Sequence, residues 1–245
     1  MKKAAKAVLP ASAIVNLELR TLRPDLPALA EYFGTDKWGL HWYASHYQDH
    51  LGHLKRRNFN LLEIGVGGHE NPNDGGRSLR MWKAFFPKAK IYGIDIFDKS
   101  ALEEPRIRIF RGSQADPDFL VWVARQIGTL DVIVDDGSHV NEHVRASFQH
   151  LFPLMPDGGI YVIEDLCTSY WPEFGGNEDP NVTDTSMGML KCLVDGLNWE
   201  EFRSRKPGPL DRDVVAIHFY HKLAFIHKGR NEEGSNKDQR HRVHL

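Results

Sequence analysis

Short apolar, β-branched runs alternate along the chain with stretches of helical periodicity. The clearest run is Val132-Ile133-Val134, which leads into Asp135-Asp136-Gly137-Ser138-His139. Its pattern is that of a central strand covered on both faces. Acids directly after such a strand do not sit in a core unpaired, so they are expected to emerge at its C-terminal end. A second run, Ile160-Tyr161-Val162-Ile163, ends in Glu164-Asp165. With these two strands as parallel neighbours, four carboxylates are expected to converge. Like charges at that range need something cationic between them, and a divalent metal is the expectation.

The same pattern predicts strands over residues 60–64, 90–95 and 106–110 and helices over 77–86, 116–127, 140–151 and 186–202. Apolar residues in the lead predict helices over 17–22 and 26–32, broken at Pro24, and a further amphipathic helix over 45–57. Two final apolar runs, 214–219 and 223–226, meet at Tyr220-His221 and read as an antiparallel hairpin at a sheet edge. Strand and helix thus alternate and a hairpin closes the series. The expected fold is α/β: a doubly wound, mostly parallel sheet. The expected organisation is a helical lead and lid over 1–57, one main domain over 58–230 and a polar tail over 231–245.

Composition changes this picture little. The 245 residues carry a formal net charge of −2, which gives no bulk attraction to nucleic acid or anionic membranes. Two cysteines exclude a disulfide scaffold and a Cys-rich zinc site. The lysines near the N-terminus interrupt its short apolar part, so no signal peptide is expected. A cytoplasmic location follows as the expectation.

The candidate chemistry lies at strand ends. Glu63-Ile64-Gly65-Val66-Gly67-Gly68 is a strand running into a glycine turn, where the backbone can approach a ligand closely. Glu70 breaks the usual dinucleotide pattern. Ser78 falls in the first turn of the next helix, where free amides hold anions. Asp95 ends the second strand about 30 residues after the glycine turn, the distance at which an acid grips ribose hydroxyls. Ser113 and Gln114 end the third strand where an adenine could be bonded. The aromatic segment 34–43, from Gly34-Thr35-Asp36-Lys37-Trp38 to Trp42-Tyr43, reads equally as a surface loop anchored by Trp38 and Trp42 or as a lid. Residues 167–184, with Tyr170, Trp171 and Phe174, could wall a substrate pocket. Taken singly, Asp136-Gly137 is a turn and Glu164-Asp165 a helix cap; their placement at two adjacent strand ends is what favours a metal site. His143 and His150 read as ordinary polar groups.

The segments 62–67, 93–95, 135–139 and 163–165 together resemble the class I S-adenosylmethionine-dependent methyltransferases. More narrowly, they resemble the Mg-dependent sugar O-methyltransferases that act on macrolide deoxysugars, with mycobacterial mannoside O-methyltransferases as relatives. Segments 34–38, 78–83 and 170–176 support that narrower likeness. The resemblance implies a seven-stranded Rossmann-like sheet with the C-terminal antiparallel hairpin. It implies metal ligation by Asp136, Glu164 and Asp165, with Mg²⁺ favoured by the oxygen ligands. It implies His139 as general base, and S-adenosylmethionine contacts at Thr35, Glu63, Gly65, Ser78, Asp95, Ser113, Gln114 and Asp135. The implied partner is a sugar-bearing small molecule or oligosaccharide, and a homo-oligomer is expected. Methylation of a phenolic or catechol hydroxyl, or non-catalytic nucleotide or sugar binding, remain open alternatives.

Overall fold

The computed structural model describes residues 25–235. The helix expected over 17–22 and most of the expected tail lie outside these residues. Helix α1 (Leu26–Phe33) starts at Asp25, whose side chain accepts the Ala28 N–H at 2.9 Å, and stops at Gly34 in a left-handed conformation. Helix α2 (Tyr43–Leu51) follows and runs into a single 3₁₀ turn, Gly52–Leu54, rather than continuing to residue 57.

Seven strands then form one sheet: β1 (Asn60–Ile64), β2 (Lys90–Asp95), β3 (Ile107–Arg111), β4 (Val132–Asp135), β5 (Ile160–Ile163), β6 (Val214–Tyr220) and β7 (Leu223–Lys228). Their order is β3-β2-β1-β4-β5-β7-β6. The first five are parallel, and β7 pairs antiparallel with both β5 and β6. The hairpin turns at His221-Lys222, one residue later than expected, with Lys222 at φ +65°. The remaining helices are α3 (Arg77–Phe85), α4 (Pro117–Ile127), α5 (Asn141–Leu151) and α6 (Ser186–Gly196). Helix α6 ends short of the expected residue 202. Its last residue, Gly196, lies against Asp211, whose Oδ1 would come within 2.4 Å of any Cβ there. Among the described residues, no helix is long and apolar enough to cross a membrane.

The sheet separates two cores. Leu61, Val132, Val134, Ile160, Val162 and Phe225 pack against α1, α2 and α3. Leu62, Ile64, Ile133, Tyr161, Ile163 and Ile226 pack against α4, α5 and α6. Side chains alternate along a strand with period two, so this division fixes where the acids point. Glu63 is level with Val134, and Val134 with Val162. Carrying the alternation past the strand ends puts Glu63, Asp136 and Glu164 on the α1–α3 side. Asp135 belongs to the other side. The four acids of the two strand tips therefore do not converge as a group. Asp135 leaves it, and Glu63 of β1 joins it.

Candidate active site

Above the C-terminal ends of β1, β2 and β4 lies a cleft of about 1060 Å³. Its floor is made by glycine turns with left-handed backbones. Gly65 has φ +93°, and a Cβ there would lie 2.1 Å from the Asp136 carbonyl oxygen. Gly67, at φ +77°, would have nothing within 4 Å of a Cβ, so its backbone is open to the cleft. The first turn of α3 brings Ser78 to the cleft, and Thr35, Asp36 and Trp38 also line it. Asp95 lines the cleft while its carboxylate ties two turns together, accepting Val66 N–H at 3.0 Å and Phe97 N–H at 2.9 Å. Ser113 and Gln114 also line it. The Gln114 carbonyl accepts Ser138 N–H at 2.6 Å, and its amide donates to Asp135 at 3.1 Å.

Below the far end of the cleft, the Lys37 ammonium stands among three carboxylates. Its Nζ is 2.6 Å from Asp136 Oδ2, 2.7 Å from Glu164 Oε1 and 3.3 Å from Glu63 Oε1. Burial alone would push the Lys37 ammonium down. The negative charges of Asp136, Glu164, Glu63 and Asp36 outweigh it and hold the pKa well above the usual range. Glu164 also accepts the Tyr47 hydroxyl at 2.5 Å. Burial raises the pKa of Glu164, and the charge of Asp136 adds to the effect. Glu63 is the least well matched of the three. Its Oε1 has no hydrogen bond, its Oε2 accepts the Trp82 indole N–H at 2.9 Å, and burial pushes its pKa up to about 7.

One step outward, Asp136, His139 and Asp165 bring one ligand atom each within 4.8 Å of one another. His139 Nε2 is 3.7 Å from Asp165 Oδ2 and 4.0 Å from Asp136 Oδ1. Asp165 accepts the Tyr43 hydroxyl at 2.7 Å, and the His41 ring stacks on Tyr43. His139 and Asp165 both have left-handed backbones, at φ +59° and +50°. Non-glycine residues held in that region cost of order 1–3 kcal/mol each and gather at functional sites. Here the two unfavourable turns point an imidazole and a carboxylate at the same spot.

This architecture recurs in solved structures. MycE methyltransferase from the mycinamycin biosynthetic pathway, in complex with Mg, SAH and mycinamycin VI, superposes with a TM-score of 0.84 at 43% identity. The match covers 96% of this chain and 67% of that one. The chain belongs to the sugar O-methyltransferase family. Curated members of the family are similar over most of the described fold. Mycinamicin VI 2''-O-methyltransferase of Micromonospora griseorubida is 50% identical over 217 residues, 86% of this chain and 54% of its own length. Demethylmacrocin O-methyltransferase of Streptomyces fradiae is 50% identical over 229 residues, 91% of this chain and 58% of its own length. The chain thus spans little more than half the length of these sugar O-methyltransferases. No family model matches it.

Of the cofactor contacts implied by the sequence, Thr35, Gly65, Ser78, Asp95, Ser113 and Gln114 all line the cleft of this sugar O-methyltransferase family member. Glu63 and Asp135 do not. Glu63 is buried beneath the glycine turn against Lys37 and Trp82. Asp135 is buried on the opposite side of the sheet, accepting from Gln114, Tyr161 and the Ser147 hydroxyl, and burial pushes its pKa up to about 6. Strand alternation turns Asp135 away, whereas Glu63 shares the side of Asp136 but lies level with Val134, below the strand end. Of the implied metal ligands, Asp136 and Asp165 stand with His139, while Glu164 lies behind them with Oε1 held by Lys37 and Tyr47. His150 bonds the Ala146 carbonyl within its own helix, as an ordinary polar group does. His143 is placed more pointedly. It lines the cleft, 3.0 Å from the Ser138 hydroxyl. The residues that pattern reading passed over are Lys37, Tyr43 and Tyr47. The one signal, and for Lys37 alone, was the demand of clustered acids for a cation.

Proposed function

We propose that the chain transfers the methyl group of S-adenosylmethionine to a hydroxyl of a sugar on a glycosylated natural product, in a Mg²⁺-dependent reaction of antibiotic tailoring. The observation that carries this reading is the grouping of Asp136, His139 and Asp165 at the end of a glycine-floored cleft. The names of the relatives, all sugar or glycoside O-methyltransferases, support the acceptor class.

The residues present fit both groups. The open backbone at Gly67, and Gln114 and Asp95, each anchored by its own hydrogen bond to a neighbouring turn, offer a nucleoside a floor and polar partners. Two carboxylates facing one imidazole make an oxygen-rich corner of the kind a hard divalent cation takes. Asp136 and Asp165, with Glu164 behind them, would hold Mg²⁺. When bound, it would lower the pKa of the acceptor hydroxyl and fix its orientation. His139 Nε2 takes the hydroxyl proton as the oxygen attacks the methyl carbon, and the C–S electron pair stays with the departing sulfur. Tyr43 orients Asp165 through its hydroxyl, and Lys37 and Tyr47 keep Glu164 from swinging. Asp36 and Trp38 line the cleft wall and serve as part of the lid over 34–43. Exposed Leu40 and Trp42 support self-association into a homo-oligomer, which light scattering tests. The free thiols of Cys167 and Cys192 support a cytoplasmic setting.

Incubation with S-adenosylmethionine, Mg²⁺ and a panel of macrolide glycosides, oligosaccharides and catechols, read by mass spectrometry, tests the proposal. Methylation of a sugar is expected. Methylation confined to the catechols, or no transfer to any acceptor despite tight cofactor binding, overturns it.

A further inference from the structure

A second cluster of ligating side chains lies further along α2, beyond Tyr47, where the helix meets the terminal hairpin. His50 comes from α2, His218 from the edge strand β6 and His227 from β7. In the β6–β7 register His218 stands opposite Phe225 and His227 opposite Ala216, so both imidazoles leave the same face of the hairpin. His50 lies over that face, its ring stacked on Phe225 at 4.1 Å and its centroid 4.7 Å from that of His218 and 5.5 Å from that of His227. One ring nitrogen from each of the three lies within 4.8 Å of the others.

We propose that His50, His218 and His227 form a second metal site, for Zn²⁺ or another transition cation of its class, separate from the carboxylate corner. Three observations carry it. The first is the convergence just described. Zn–N bonds of about 2.0–2.1 Å put tetrahedral ligand nitrogens about 3.3 Å apart, so ligation requires the rings to turn inward, His50 either exchanging its Nε2 contact with the Tyr220 hydroxyl at 3.0 Å for the ion or binding through Nδ1. The second is that His227 Nε2 is buried without a hydrogen-bond partner, whereas buried polar nitrogens are nearly always satisfied. The third is the ligand type. Imidazoles alone favour Zn²⁺, Co²⁺, Ni²⁺ or Cu²⁺ and disfavour Mg²⁺, so the two sites select different ions. His218 is exposed, which leaves the fourth position to solvent and gives the ion an entry path. An ion here ties α2 to the hairpin. The same helix carries Tyr43 and Tyr47, which hold Asp165 and Glu164, so occupancy braces the wall of the acid cluster.

The test uses the full chain stripped of metal and titrated with CoCl₂ in excess MgCl₂, read by the visible bands of four-coordinate Co²⁺. Wild type is expected to develop the bands, and Asp165→Asn to retain them. His218→Ala and His227→Gln are each expected to weaken binding at least about ten-fold. Circular dichroism of His218→Ala, a change at an exposed edge, separates loss of the site from loss of the fold. ZnCl₂ is expected to raise the melting temperature of wild type and not of His218→Ala. Absence of the bands in wild type, their persistence in both histidine variants, or their loss in Asp165→Asn would overturn the proposal.

Discussion

Lys37 Nζ is fully buried with Asp136 and Glu164 at 2.6 and 2.7 Å, so deleting its charge leaves acids stranded in the core. Removing one partner of a buried ion pair costs about 3–5 kcal/mol. Lys37→Met is therefore expected to lower unfolding free energy by that order in urea titrations, far more than an exposed lysine would. Glu63 gives a titration signature. Its pKa in the folded state is about 7, against an ordinary value near 4.5. The folded chain thus holds this proton more tightly than the unfolded one. The resulting stabilisation is complete below about pH 4.5 and is lost as pH rises through about 7, by about 3 kcal/mol at most. Glu63→Gln is expected to flatten that slope in denaturation curves measured between pH 4.5 and 7.5. His139 is the proposed base, and a well-placed base contributes about 10²–10⁴-fold. His139→Ala is expected to lower kcat by that order while calorimetric binding of S-adenosylmethionine stays unchanged. A fall in cofactor affinity equal to the fall in rate would remove His139 from the proton transfer.

At the scale of elements, the turn after β1 decides whether the cleft exists. Gly65→Ala would force a left-handed alanine whose Cβ overlaps the Asp136 carbonyl at 2.1 Å. The strain alone costs of order 1–3 kcal/mol. The expected outcome is a lower melting temperature together with lost cofactor affinity, read by thermal denaturation and calorimetry. Element identity was largely legible along the chain. β2 covers the expected 90–95, and β4 and β5 fall within a residue of their expected ends, because β-branched runs bounded by acids and glycines leave little choice. Helix ends were less legible. α2 passes into a 3₁₀ turn at Gly52, and α6 stops where Gly196 meets Asp211. The orientation of the acids was legible in principle, through alternation of side chains, once the strand register was known.

Across the whole molecule, the carboxylate corner is assembled from the end of β4, the end of β5 and the segment between α1 and α2. A chelator that removes Mg²⁺ is expected to abolish methyl transfer and leave S-adenosylmethionine binding measurable, with activity restored by added Mg²⁺. Transfer at full rate in the presence of chelator would refute the metal assignment. The sequence by itself determined the succession of strands and helices, the glycine turn, the hairpin and the acids at two strand tips, because local periodicity and turn chemistry are written in neighbouring residues. Only the tertiary structure decided which acids share a side of the sheet, that Asp135 turns away from Asp136, and that Lys37 and Tyr47 reach Glu164 from 127 and 117 residues away. The physical reason is that a buried charge chooses its partner by position in space, and no local pattern records a contact across half the chain.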